Sequence, residues 1–461
     1  MRKFTLMIPV VLLALAGCNS DSEPRVIPDP PPPPERTKLQ VVHASPNAPT
    51  VNLVLNGNEI ASGVDYKVAT GVTETNAGTY TIGVDAILPD GSTVDAFEDV
   101  TADLAGNTIY SVLAVGDLAN IEPLVITRSD MAPAAGSFRA QIVHAAPDAP
   151  MVDIYVTAPG ADLATSSVLG SASFKEALGP VEVAEGDYQI RITVAGDPMT
   201  VVYDSGTVAL AAGADLLIAA VENVGPGDQP VNLLVMGPDG ASEILDASTP
   251  ASVRVVHASA DAPAVDVIAN DNFAAPLIAN LAFANFAGYV DLPADSYNVK
   301  VVPNGLTAPV VIDADLDLMA GMAYNVIALN ELAMIEPLVL TADNRRVGTE
   351  AKLRIVHGSV TAAGVDIYLV APGAGIDGAT PVLSDVPFKA DTNFLSVAEG
   401  SYDVIVTPTG TTDVAIGPVT INLTAGGIYT AIAVDAAGGG TPLGLILLDD
   451  FVAMMQTSYL F

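Results

Sequence analysis

Val152-Asp153-Ile154-Tyr155-Val156 sets a polar residue between apolar ones, and Tyr188-Gln189-Ile190-Arg191-Ile192-Thr193-Val194 alternates over a longer run. A period of two is that of a β-strand with one face buried and one wet. On this reading Asp153 and Tyr155 point to the wet face, as does Tyr368 at the matching position of a later run. The runs are rich in Val, Ile and Thr and are bounded by Gly, Pro, Asp and Asn, the residues that build turns. Ala-rich segments near Leu210 and Ala320 carry helix propensity, but they are short and broken by Gly, so they read as strand ends and turns. About seven short strands fall in each hundred residues, which predicts an all-β chain of immunoglobulin-like antiparallel β-sandwiches. The disulfide and Trp of true immunoglobulin domains have no counterpart, since the chain has one Cys and no Trp.

One stretch recurs. Val41-Val42-His43-Ala44-Ser45-Pro46-Asn47-Ala48-Pro49 returns as Ile142-Val143-His144-Ala145-Ala146-Pro147-Asp148-Ala149-Pro150, then around His257 and, more altered, around His357. These are the chain's four histidines, in steps of 101, 113 and 100 residues. That period is too long for a solenoid repeat, so a whole domain is repeated. Other landmarks keep phase. Each copy has a Tyr two residues after a turn residue (Tyr80, Tyr188, Tyr297, Tyr402), and fourteen residues before it another aromatic (Tyr66, Phe174, Phe283, Phe388). The Tyr has the sequence setting of a tyrosine corner, its hydroxyl tied to nearby backbone. The copies are bounded at 38–130, 137–246, 251–344 and 351–461.

The second copy runs His144-Ala145-Ala146-Pro147-Asp148-Ala149-Pro150-Met151-Val152-Asp153-Ile154-Tyr155. This string resembles the signature of the bacterial domain-of-unknown-function family 4397. The first copy departs from it at Asn47 and Asn52, the third at Ala260, and the fourth at Val360, Thr361 and Ala363. The resemblance covers nearly everything after residue 37. It implies secreted or lipid-anchored proteins with tandem copies and no assigned activity.

The first residues add an address. Met1-Arg2-Lys3 is basic, Phe4–Gly17 is apolar, and the run ends Leu15-Ala16-Gly17-Cys18. An apolar run of this length fits the core of a secretory signal rather than a span. Its end resembles the lipobox of bacterial lipoproteins, which implies cleavage before Cys18 and acylation of that residue. By the same resemblance, Asn19 in place of Asp leans towards the outer membrane of a Gram-negative host. Residues 18–37 then form a tether whose proline run, Pro30 to Pro34, is a stiff extended spacer.

Charge narrows the partners. Lys and Arg number 17 against 53 Asp and Glu, a net charge of −36. That field repels phosphate, so nucleic acid is not an expected partner. The lone Cys18 rules out an intrachain disulfide and a cysteine metal cluster.

Candidate chemistry is sparse. His43, His144, His257 and His357 share a strand face with core residues such as Leu39 and Val41, and read as partly buried rings bonded to the following turn. A zinc site needs three or four ligands, and each copy offers one His and no Cys. Asp148, Asp261, Asp153, Asp266 and Asp366 are the carboxylates of the motif. Calcium is the cation they would suit, but the Asp-x-Asp-x-Asp-Gly loop is missing and Asp-Ala-Pro reads as a turn. No cofactor is expected. No nucleophile elbow or phosphate loop is found, so no enzyme activity is expected. The sequence therefore points to a lipid-anchored envelope protein displaying structural or adhesive sandwiches, with membrane and an extracellular glycan or protein as partners. A carbohydrate- or calcium-binding module is the alternative, with Tyr155 and Tyr368 as candidate ligand-facing aromatics, and a hydrolase the remotest.

Overall fold

The computed structural model describes residues 34–449 together with Tyr459 and Leu460. The apolar leader, Cys18 and the proline run up to residue 33 lie outside the described residues. In the first copy the strands are β1 (Arg36–His43), β2 (Val51–Leu55), β3 (Asn58–Val64), β4 (Thr73–Asn76), β5 (Gly78–Ile87), β6 (Thr93–Leu104), β7 (Thr108–Val115) and β8 (Glu122–Ser129). They form two sheets, β4-β1-β7-β8 and β3-β2-β5-β6. The same two orders recur in every copy, with one added edge strand in the second (Gly240–Ile244) and one in the fourth (Tyr459–Leu460). The chain is thus all-β, a tandem of sandwiches. Among the described residues there is no α-helix, and so none long and apolar enough to cross a membrane.

One detail departs from a purely antiparallel sandwich. β1 pairs with β7 in parallel, Lys38 facing Ile109 through to His43 facing Ala114, and the other three copies repeat it. A parallel pair needs a long crossover. Here the whole second sheet serves as that crossover, which returns the chain beside its first strand.

β1 and β7 are apolar on both faces. Leu39, Val41 and Val112 pack inward against Leu53 and Val84 of the second sheet. Val42, Ala44, Leu113 and Val115 face the other way and share a core with Val143, Ala145, Leu217, Val221 and Met236 of the second copy. Copies three and four repeat the arrangement: Val256, Ile327 and Leu329 of one join Val356, Ile432 and Leu448 of the other. Each fully buried aliphatic side chain in such a core contributes about 1.5–3 kcal/mol. The chain folds as two pairs of sandwiches with shared interiors, and not as four independent beads.

Polar links bind the same borders. Gln40 Nε2 donates to the Gly237 carbonyl at 2.8 Å, and the Val72 amide to Pro238 O at 2.8 Å. Lys175 meets Glu122 at 2.7 Å, and its counterpart Lys389 meets Glu336 at 3.0 Å. Across the second pair the Gly438 amide reaches the Ala260 carbonyl at 2.8 Å.

Candidate functional site

Each histidine ends its strand where the chain turns towards the second sheet. Nε2 lies 2.8 Å from the Pro49 carbonyl in the first copy, 3.1 Å from Pro150 O, 3.0 Å from Pro263 O and 2.8 Å from Ala363 O. A carbonyl only accepts, so Nε2 carries the hydrogen and donates, and Nδ1 is left with a lone pair. In the first copy that lone pair receives the Ser45 amide at 3.3 Å. The landmark aromatics are the rings' partners: Tyr66, Phe174, Phe283 and Phe388 stand edge-on to the four imidazoles, with centroids 6.1–6.5 Å apart. The residue after each aromatic (Lys67, Lys175, Ala284, Lys389) has positive φ, which turns its amide back to the histidine carbonyl at 2.7–2.8 Å. The four rings are 0–1% exposed, which leaves no approach for a metal or substrate. Burial pushes the His43 ring down to about 4, and Arg345 adds to the effect, against the Pro49 carbonyl and Asp65. His144 and His257 are lowered by burial as well. The expected bond to the turn is present in all four copies.

The position four residues after the histidine ties down the connection that follows β7. Asn47 Oδ1 accepts the Leu118 amide at 2.8 Å, and Asp261 accepts the Leu332 amide at 2.7 Å. The fourth copy inverts the tie: Asp435 supplies the carboxylate, and Ser359 and Thr361 on the motif supply the hydroxyls. The lost prolines and aspartate of that copy are thereby compensated. Asp148 instead belongs to an acidic group with Asp117 and Glu222 at the border of the first two copies. Burial, then Asp148 and Asp117, push the Glu222 carboxyl up to about 7. A group raised in the fold holds its proton where the unfolded chain has lost it, so folding loses stability as pH rises from about 4.5 to 7. Glu222→Gln is expected to raise the melting temperature at pH 8 and to leave it nearly unchanged at pH 4.5, in thermal melts at both pH values.

The strand aspartates correct the alternation reading. Asp153, Asp266 and Asp366 are 6–8% exposed, not wet. Asp153 accepts Ser171 Oγ at 2.5 Å and the Gly196 amide at 2.7 Å. Asp266 accepts the Asn280 and Gly305 amides, and Asp366 those of Asp385 and Gly410, all at 2.8 Å. Each carboxylate links the neighbouring edge strand (Ser171, Asn280 or Asp385) to a turn glycine (Gly196, Gly305 or Gly410), and these donors satisfy it where it is buried. Tyr155 and Tyr368 are likewise 6% and 7% exposed, against the wet face expected of them. Around Tyr155 the segment after its strand folds back over the sheet: Arg191, its register partner, donates to the Ala161 carbonyl at 2.6 Å, and Leu163 is buried. Neither ring offers a surface to a glycan. Among the described residues no group of three or more His, Cys, Asp or Glu could hold a metal ion.

The tyrosine corner is present in four copies. Tyr80, Tyr188, Tyr297 and Tyr402 donate to the carbonyls of Asn76, Ala184, Pro293 and Ala398, four residues back, at 2.8–3.0 Å. Sequence reasoning missed Arg345. It lies between the third and fourth copies yet is buried against the first. Its guanidinium donates to Pro46 O at 3.0 Å and to Ala48 O, pairs with Asp65, and stands 5.4 Å from the Tyr66 ring centroid. The Gly348 amide joins it by reaching Asn47 O at 2.8 Å. The signal was an Arg-Arg pair between domains in a chain very poor in cations. Arg345→Ala orphans two buried carbonyls, and is expected to cost about 2–3 kcal/mol; Arg345→Lys is expected to recover less than half, because an ammonium cannot fork to both. Urea unfolding midpoints check this.

The chain has relatives by sequence. A family model described as "Domain of unknown function (DUF4397)" matches residues 37–155, 251–368 and 370–457. The first two windows each run from one histidine motif through the next. No curated protein matches the chain. Among solved structures, the Bacillus anthracis TIE protein is 12% identical over 87% of this chain and 68% of that one, with a TM-score of 0.15, a likeness that carries no argument.

Proposed function

The chain belongs to the domain-of-unknown-function family DUF4397, and on that premise we propose that it is a non-catalytic, lipid-anchored envelope protein that displays its paired sandwiches as a structural or adhesive body. The observation that carries this reading is the commitment of the motif's polar groups to the fold. Every histidine donates to its own turn, and the three strand aspartates each hold an edge strand and a turn. A general base or ligand set needs a lone pair facing open space. The histidine Nε2 atoms and the aspartate carboxylates are bonded within the fold instead. The Nδ1 lone pairs of His144, His257 and His357, though without a hydrogen-bond partner among the described residues, are buried away from open space. Repetition of such a unit multiplies surface and stiffness, which suits display and avidity.

The anchor half of the proposal rests on Leu15-Ala16-Gly17-Cys18 and on Asn19, which favours the outer membrane. The tether that follows would hold the sandwiches off the lipid. Expression of the full chain in a Gram-negative host with labelled palmitate tests it. Label in the wild-type band, absent from Cys18→Ser, together with outer-membrane fractionation of the wild type only, is the expected result. An unlabelled wild type found in the soluble fraction would sink the anchor.

A further inference from the structure

The third copy differs from its sisters inside. Between its two sheets lies an apolar cavity of about 50 Å³, lined by Val253, Val267, Ala269, Ala314, Val326 and Ala328 among others. Its lining includes residues of the edge strand of each sheet, Ile312–Asp317 and Glu336–Ala342, and reaches the surface at Val339, which is 41% exposed.

The cavity is carved by side-chain size, and the other copies show what is missing. The third position of the second strand is Leu53, Ile154 and Ile367 in the sister copies and Val267 here. The fifth position is Leu55, Val156 and Leu369 in the sisters and Ala269 here. On the sixth strand, the partner of the residue two after the corner Tyr is Val100 in the first copy, Val419 in the fourth and Ala314 in the third. Deeper on that strand stand Phe97, the fully buried Tyr203 and Ile416, against Ile312. At the first two of these positions the smallest side chain of the four falls in one copy, and at the third it is smaller than both paired sisters. Closely packed interiors do not leave such space idle without loss of stability.

A single water needs about 10–15 Å³ of such space, so the cavity would admit several, but water needs polar partners. The lining's polar groups are few: the Tyr297 hydroxyl already donates to Pro293, and Asp315 is exposed. An apolar occupant fits and a polar one does not. The width of a sheet-to-sheet gap suits an unbranched chain. Asp315 is the one carboxylate in the lining, and Asp313 and Asp317 flank it on the same strand with only Lys300 opposite, 4.0 Å from Asp313, so carboxylates outnumber ammonium groups along this edge. We propose that the third sandwich is a binding site for the end of a single linear alkyl chain whose head group is cationic or neutral, not a carboxylate.

Octylamine and octanoate share a chain and differ in head charge, so they are the probes, titrated by calorimetry into the full chain. The expected result is saturable binding of octylamine with a rise of a few degrees in melting temperature, and binding of octanoate weaker by roughly tenfold or more. Val267→Ile, Ala269→Leu and Ala314→Val together rebuild the sister cores. The triple variant is expected to melt above the wild type without ligand and to lose octylamine binding at least tenfold. Should it fail to fold, the single variants Ala269→Leu and Ala314→Val carry the same test. No saturable octylamine binding by the wild type, or binding untouched by filling, overturns the site. Equal binding of octanoate overturns the head-group assignment.

Discussion

Replacing Ile327 by Asp is expected to unfold the junction of the third and fourth copies and to remove at least about 4 kcal/mol of stability. Ile327 is wholly buried, and its core contains Val356 and Ile432 of the next copy. Its neighbours Val326 and Ala328 face the other way, into their own sandwich. A carboxylate there must be taken from water without a partner, or the two sheets must part and let water in. Parting exposes two apolar faces at once. Equilibrium unfolding in urea is expected to change from one transition to two, and limited proteolysis to cut between residues 343 and 350. Ile327→Val removes one methylene and is expected to cost only about 1 kcal/mol. If the copies were independent beads, Ile327 would face solvent and the Asp variant would be almost neutral; that outcome would refute the shared core.

The second large effect is expected from His43→Ala, at about 3–4 kcal/mol at pH 7.5. The substitution removes the donor of the buried Pro49 carbonyl and the ring that Tyr66 packs against edge-on. An orphaned buried acceptor costs about 1–3 kcal/mol, and the void left by the ring adds to it. The variant should also change the response to acid. His43 titrates near 4 in the fold and near 6.5 in an unfolded chain. Between those values the unfolded chain binds more protons, so stability falls as pH drops from 6.5 to 4. The loss over that window is about 3 kcal/mol for this one group, since each pH unit between the two values is worth about 1.36 kcal/mol. The wild type should therefore lose more stability than His43→Ala between pH 7.5 and 4.5. Glu222 works in the opposite sense over 4.5 to 7, so the comparison is cleanest in a Glu222→Gln background. Parallel slopes for the two proteins would show that the ring is not buried neutral.

Much of this was readable from residue order. The copies, the strands and the tyrosine corners follow from local pattern, because alternation and turn chemistry act over a few residues. The histidine's bond to its turn was also within reach, since its partner lies six residues on. Two errors share one cause. Asp153, Tyr155 and Tyr368 alternate with core residues and so read as wet, but alternation separates two faces of a sheet without saying what covers the second. A turn clasped by the aspartate, and a loop folded over the tyrosine's sheet, supply that cover.

The same gap hid the pairing of the copies, although a trace of it was present. Tyr429-Thr430-Ala431-Ile432-Ala433-Val434 barely alternates, and such a run marks a strand buried on both faces. Which surface meets the second face is a long-range matter: Val42 finds Met236 and Ile327 finds Ile432 only once four sheets are stacked. Arg345 is bonded to residues nearly three hundred positions earlier. The cavity in the third copy is a difference of a few methylenes between sheets that touch only in the fold. Local chemistry chose the strands and turns; contacts distant along the chain chose what each face buries, because packing depends on where surfaces end up and not on their order.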